Sequence, residues 1–125
     1  MRNKMPKPDP AEIRKSRVFH DKLVKYLREY EDYLLHVKSD GTLISHRDII
    51  HEFINYMYSE LVTNFDQITV PIVTSKYYAY YKRENKLEIS KDEMKHILKG
   101  FFTFLYGKYG LVNEEVMKEL TNKKA

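Results

Sequence analysis

The sequence has no cysteine among its 125 residues. A chain without cysteine forms no disulfide, has no thiol nucleophile and offers no thiolate to a metal ion. Tryptophan is also missing, and glycine and proline occur four times each, which disfavours a turn-rich β fold. No stretch approaches the roughly 20 apolar residues that span a membrane, and the N-terminal segment holds no signal-peptide core. We therefore expect an intracellular, cytoplasmic protein without a membrane anchor.

The residues that are present are typical of a single globular domain. Hydrophobic residues make up 42% of the chain and charged residues 32%, and a domain of this length buries roughly two thirds of its unfolded surface. Residues 1–8 differ from the rest, with three cations, two prolines and no acid. We expect a flexible basic N-terminal arm over residues 1–8 and one helical domain over residues 9–125.

Charge is segregated along the chain. Residues 1–38 carry ten basic and six acidic groups, a net charge of +4. Residues 39–75 carry one basic and five acidic groups, a net charge of −4. Residues 76–125 carry eleven basic and seven acidic groups, again +4. This order either concentrates positive potential on one face or lets the acidic segment neutralise its neighbours inside the fold.

Hydrophobic residues recur every three or four positions in five segments, which predicts amphipathic α-helices. The predicted helices cover about residues 10–37, 45–64, 71–84, 90–109 and 114–120. Residues that cap helix starts precede each of them: Asp9, Ser45, Thr69, Ser90 and Asn113. Gly110 stands where the fourth helix should end, and the β-branched residues of 66–70 allow a short strand. The expected fold is all-α, a compact bundle or array of four to five helices.

Catalytic and metal-binding patterns are missing. Two metal-ligating histidines on one helix stand three or four residues apart, whereas His46 and His51 are five apart and point about 140° away from each other. No serine has an evident base nearby, and the glycines do not form a phosphate-binding loop. We therefore expect no catalytic residue, no metal, no cofactor and no small-molecule substrate, with the histidines on the solvated surface. The protein is not expected to be an enzyme.

Tyrosine is the most unusual feature of the composition, with eleven residues. Four of them stand in the segment 76–83. On a helix, Tyr77, Tyr80 and Tyr81 fall within about 100° of one another, which is typical of a core face. Tyr78 is displaced from that face and is a candidate for stacking on a nucleic-acid base. The cations beside it are candidates for phosphate contacts: Lys76, Lys82, Arg83 and Lys86.

A second basic element comprises the arm and the start of the first helix. Its candidate phosphate-contacting residues are Arg2, Lys4, Lys7, Arg14, Lys15 and Arg17. Flexible basic arms ahead of a helical body bind phosphate backbones without reading sequence. The leading expectation is a small non-enzymatic protein that binds DNA or RNA mainly through phosphate contacts.

The alternative expectation is a helical protein-interaction subunit or adaptor, including a homo-oligomer. The first predicted helix is about 42 Å long, longer than a compact domain of this size needs. Its stripe mixes leucine with Tyr26, Tyr30 and Tyr33, and tyrosine is enriched at protein interfaces. These three tyrosines are the candidate interface residues.

Overall fold

The computed structural model describes residues 9–35, 40–85 and 89–121. Within those ranges the chain forms five α-helices and no β-strand, which confirms the expected all-α fold. In chain order they are α1 (Pro10–Leu35), α2 (Asp40–Ser59), α3 (Tyr77–Asn85), α4 (Lys91–Tyr109) and α5 (Glu114–Thr121). None of the helices in these ranges combines the length and the apolarity that a bilayer span requires. The predicted arm over residues 1–8 lies outside the described residues.

Helix α1 begins where the sequence predicts. The Asp9 carboxylate accepts a hydrogen bond from the N–H of Ala11 at 3.2 Å, and the Asp9 carbonyl accepts one from the N–H of Ile13 at 3.0 Å. These bonds satisfy N–H groups that the first helical turn leaves open. The described part of α1 ends at Leu35, so the predicted end at residue 37 falls outside it. Five of its residues are buried: Ser16, Leu23, Leu27, Tyr30 and Leu34.

Helix α2 begins five residues earlier than predicted. Its first residue is Asp40, so Ser45 lies inside the helix and the predicted cap at Ser45 is wrong. The segment Asp40–Thr42 contains turn-forming residues, but an acidic residue in a first helical turn is favourable because it offsets the helix dipole.

Helix α2 also ends earlier than predicted, at Ser59 rather than near residue 64. The backbone of Leu61 is left-handed, with φ of 58°. Its N–H donates to the carbonyl of Tyr58 at 3.0 Å, and the N–H of Val62 donates to that of Met57 at 3.1 Å. This pair of bonds is a Schellman motif. Glycine usually occupies the left-handed position, and since leucine stands there, the sequence carries no stop signal.

The connection that follows contains a 3-10 turn, Phe65–Gln67, and a π-helical turn, Ile72–Lys76. The short strand allowed over residues 66–70 is therefore wrong. The side-chain amide of Asn113 donates to the carbonyls of Phe65 at 3.2 Å and Ile68 at 2.7 Å. The two carbonyl groups therefore have hydrogen-bond partners although this segment is not part of a β-sheet.

The third predicted helix begins as the π-helical turn Ile72–Lys76 and becomes α-helical at Tyr77, and no described side chain caps this turn. The carbonyl of Thr69 accepts a hydrogen bond from the N–H of Val73 at 3.3 Å, at the first helical turn. In α3, Tyr77 and Tyr81 are buried, and Tyr80 is half-buried against the core. The predicted core face of the tyrosine-rich segment is therefore confirmed.

Helices α4 and α5 keep the predicted caps. The hydroxyl of Ser90 accepts the N–H of Glu93 at 3.0 Å, and Gly110 ends α4 in the left-handed conformation with φ of 69°. The side-chain oxygen of Asn113 accepts the N–H of Val116 at 3.2 Å. These three local signals are correct because each depends on residues within one helical turn.

Helices α1, α2 and α4 pack around a core rich in aromatic rings. Phe53 of α2 lies at its centre, with its ring centroid 5.1 Å from that of Tyr77 and 6.2 Å from that of Phe102. All three side chains are at most 2% exposed. Aromatic pairs at these distances add stabilisation beyond the area they bury.

Two of the described histidines, His20 and His46, are half-buried rather than solvated. The Nε2 atom of His20 in α1 lies 2.9 Å from the side-chain oxygen of Asn55 in α2, and its ring lies 5.4 Å from that of Tyr58. The His20 side chain is 20% exposed. The expectation of a solvated histidine is therefore wrong at both positions, and the His20 ring joins α1 to α2.

Candidate nucleic-acid interface

A groove of about 950 Å³ lies between the first half of α1, the residues after α2 and the residues after α4. We call it the basic groove. Helix α1 supplies three exposed cations to its lining: Arg14, Lys15 and Lys22. The apolar lining is Val18, Phe19, Tyr26, Leu111 and Val112, and Asp66 contributes a single carboxylate. The groove therefore combines an excess of positive charge with an apolar surface.

The helix geometry explains why these cations share one groove. Lys15 and Lys22 stand seven residues apart, so they lie within about 20° of each other around α1 and about 10 Å apart along it. Arg14 is about 80° from Lys22 on the same side of the helix. The heptad spacing of these residues places a row of cations along the groove.

The charges of the basic groove are not neutralised by neighbours. Within the described residues, Arg14, Lys15 and Lys22 have no carboxylate within 4.0 Å. Arg17, which the sequence also predicts as a phosphate contact, lies outside the groove lining and pairs with Asp21 at 3.8 Å. Of the contacts that the sequence predicts on α1, the basic groove brings Arg14 and Lys15 together. Lys22 was not among the predicted contacts, although its spacing of seven residues from Lys15 places it on the same side of the helix.

Tyr26, which lines the basic groove, contacts a hydrogen-bonded pair formed by Tyr109 and Glu29. The Tyr26 ring lies 4.2 Å from the Tyr109 ring of α4, and the Tyr109 hydroxyl donates to the Glu29 carboxylate. This bond lowers the pKa of Glu29 and raises the pKa of Tyr109 to about 12. The Lys108 ammonium lies 3.3 Å from the same carboxylate. Tyr26, a predicted interface residue, is thereby engaged within the chain.

The other two predicted interface tyrosines differ in exposure. Tyr30 is 4% exposed, and its ring contacts Phe101 at 5.6 Å and Phe104 at 5.1 Å between centroids. Tyr30 is therefore a core residue, and the prediction of an interface role for it is wrong. Tyr33 is 51% exposed and remains accessible to a partner.

The second predicted surface is held by contacts within the chain. Tyr78 is half-buried, and its hydroxyl donates to the carbonyl of Ile89 at 2.8 Å. The ammonium groups of Lys82 and Lys91 lie 5.8 Å and 5.7 Å from the centre of its ring. The ring is thus engaged in two cation–π contacts, unlike the free stacking residue that the sequence suggests.

The remaining predicted cations near Tyr78 are dispersed. Arg83 pairs with Glu84 at 3.6 Å and lies 5.9 Å from the Tyr80 ring. Lys76 is exposed in the π-helical turn. Lys86, like Arg2, Lys4 and Lys7 of the predicted arm, lies outside the described residues. The basic groove is therefore the better candidate site.

No family model, curated protein or solved structure matches this chain. The function is therefore inferred from the chemistry of the groove.

Proposed function

We propose that the protein is a small, non-enzymatic nucleic-acid-binding protein that holds the phosphate backbone in its basic groove. The observation that carries the proposal is the row of cations on one side of α1 that have no ion-pair partner among the described residues. Phosphate oxygens would replace water at Arg14, Lys15 and Lys22, and counterions released from the nucleic acid would drive binding. The guanidinium of Arg14 is suited to bidentate phosphate contacts.

The spacing of the cations supports this ligand. Lys15 and Lys22 are about 10 Å apart along α1, and a duplex carries one phosphate per strand for every ~3.4 Å of its helix axis. Two cations this far apart would contact different phosphates. The three cations of residues 1–8 directly precede α1 in the sequence.

Binding is tested by fluorescence anisotropy with short single- and double-stranded DNA and RNA at 50 and 200 mM salt. We expect affinity to fall steeply between the two salt concentrations, as release of counterions requires. A triple variant that replaces Arg14, Lys15 and Lys22 with glutamine keeps polar, unbranched side chains and removes three charges. It should bind at least tenfold more weakly, with a salt slope that is smaller by about 3.

The matched control removes the same charge elsewhere. Lys25, Arg28 and Lys118 are exposed and do not line the basic groove, so their replacement with glutamine should leave most of the affinity. Equal losses in both triple variants would mean that net charge alone attracts the ligand. Absence of binding by the parent at 50 mM salt would overturn the proposal.

A second candidate function is protein association, favoured by apolar side chains that stay exposed around the same groove. Val18 is 63% exposed and Val112 is 41% exposed, and exposed apolar patches mark interaction sites. On this alternative, light scattering of the parent shows an oligomer, and Val18→Asp converts it to a monomer. A parent that is monomeric and captures no protein partner would contradict this alternative.

A further inference from the structure

A second groove, of about 710 Å³, lies along one face of α4. We call it the aromatic groove. Helix α1 contributes Tyr30, Tyr33 and Leu34, and α2 contributes His46. The face of α4 contributes His96, Lys99, Gly100, Thr103, Phe104, Gly107 and Lys108. The α4 backbone is open at Gly107, where a Cβ would meet no atom within 4 Å, whereas the Tyr30 hydroxyl lies against Gly100.

One wall of the aromatic groove is a cluster of three rings. Tyr33 lies 5.7 Å from Phe104 and 6.1 Å from Tyr30 between ring centroids. Tyr30 is buried and Phe104 is half-buried, whereas Tyr33 is 51% exposed. The cluster therefore holds Tyr33 in place and leaves about half of its surface accessible. A fixed, accessible ring is what a stacking platform requires.

The charge of the aromatic groove favours an anion. Its described lining contains cationic and histidine side chains and no carboxylate. Lys108 is paired with Glu29, but Lys99 has no ion pair within the described residues. His96 is exposed on the same face of α4, three residues before Lys99. Lys99 and Phe104 both line the aromatic groove and stand about 7.5 Å apart along the α4 axis.

The aromatic groove and the basic groove lie along the same side of α1. Around α1, Lys15, Lys22, Tyr26 and Tyr33 fall within about 40° of one another, so one stripe of α1 passes from the first groove to the second. A strand held by its phosphates at Lys15 and Lys22 would reach Tyr33 along this stripe. In a duplex the bases are paired and stacked, so only a single strand can supply a base to the ring.

We propose that the aromatic groove binds an unstacked base of a single strand, with Tyr33 as the stacking ring and Lys99 contacting the adjacent phosphate. This inference rests on the proposed function, and it adds a preference for single strands over duplexes. Phosphate contacts in the basic groove alone are available to both forms.

The test measures anisotropy with single strands and duplexes of equal length at 50 mM salt. Tyr33→Leu removes the ring, and Gly107→Leu fills the groove from a position where side-chain space is open. Each should weaken single-strand binding at least about fivefold, the lower limit for loss of one stacked base, and leave duplex binding unchanged. The matched control is Tyr106→Leu, since Tyr106 is 57% exposed and lines neither groove.

The outcomes separate this inference from the proposed function. If both variants bind single strands as the parent does, or lose single-strand and duplex binding equally, the inference is wrong. In that case the proposed function still stands when the triple variant of the basic groove loses binding. A parent that prefers duplexes also overturns the inference, and a parent that binds no nucleic acid overturns both.

Discussion

Gly100 shows how one residue type is required by a contact remote in sequence. It lies in the interior of α4, where glycine costs about 1 kcal/mol relative to alanine. A Cβ built at this position would lie 2.5 Å from the hydroxyl oxygen of Tyr30. The absence of a side chain lets the phenol of α1 lie against the backbone of α4.

We predict that Gly100→Ala destabilises the protein by about 1–3 kcal/mol, the usual effect of overpacking a core. Gly107→Ala is the matched control in the same helix. Because its Cβ would enter open space, it should stabilise the protein by up to about 1 kcal/mol. Urea denaturation followed by circular dichroism measures both changes.

The Tyr30 hydroxyl is the cause of the loss of stability expected for Gly100→Ala. Removal of this hydroxyl should therefore abolish the loss. In a Tyr30→Phe background, the next atom of residue 30 lies 3.7 Å from the added Cβ, and Gly100→Ala should become neutral or stabilising. A loss of equal size in both backgrounds would show that the close contact is not the reason for glycine.

At the scale of elements, the helix starts distinguish strong local signals from weak ones. Ser90 caps α4 with a hydrogen bond to the N–H of Glu93. Ser45 stands in a similar sequence pattern but lies five residues inside α2. The two patterns resemble each other because both contain an acid three residues after the serine, Asp48 in the first and Glu93 in the second.

We predict that Ser90→Ala destabilises the protein by about 1 kcal/mol, the typical loss for an N-cap. Ser45→Ala should instead be neutral or stabilise by up to about 0.5 kcal/mol, since alanine is the better helix former at an interior position. Thermal or urea unfolding of the two variants compares them directly. Equal destabilisation would place the start of α2 at Ser45.

At the scale of the whole molecule, burial and hydrogen bonding of tyrosine link stability to alkaline pH. Burial raises the pKa of Tyr30 to about 12, and it also raises the pKa of Tyr77. The Tyr77 hydroxyl donates to the carbonyl of Ile49 at 2.6 Å, which requires its protonated form. In the unfolded chain a tyrosine loses its proton near pH 10. Above that pH the folded state therefore binds more protons than the unfolded state.

We predict that these tyrosines cause no pH dependence of the free energy of unfolding below pH 10. As the pH rises from about 10 to about 12, they should make the free energy of unfolding fall. Each tyrosine that ionises only after unfolding contributes a slope of about 1.4 kcal/mol per pH unit. Urea midpoints across this range measure the slope, and Tyr30→Phe should make it shallower. An unchanged slope in that variant would show that Tyr30 ionises equally in both states.

The sequence by itself determined the helical fold and most helix starts. Asp9, Ser90, Asn113 and Gly110 act within one turn of their own helix, so their meaning does not depend on the rest of the fold. The hydrophobic spacing correctly indicated the buried faces of α1 and α4, because a 3.6-residue period brings these side chains onto one side. The end of α2 at Leu61 escaped prediction because no glycine marks it.

The tertiary structure alone decided which surface residues form a site. The sequence shows that Arg14 and Lys15 are basic, but the groove they line is completed by residues after α2 and α4. Likewise, Tyr30 and Tyr33 belong to one apolar stripe, and only packing of α1 against α4 buries the first and leaves the second accessible. A helix has a continuous surface, and its neighbours determine which part of that surface faces the core and which part faces solvent.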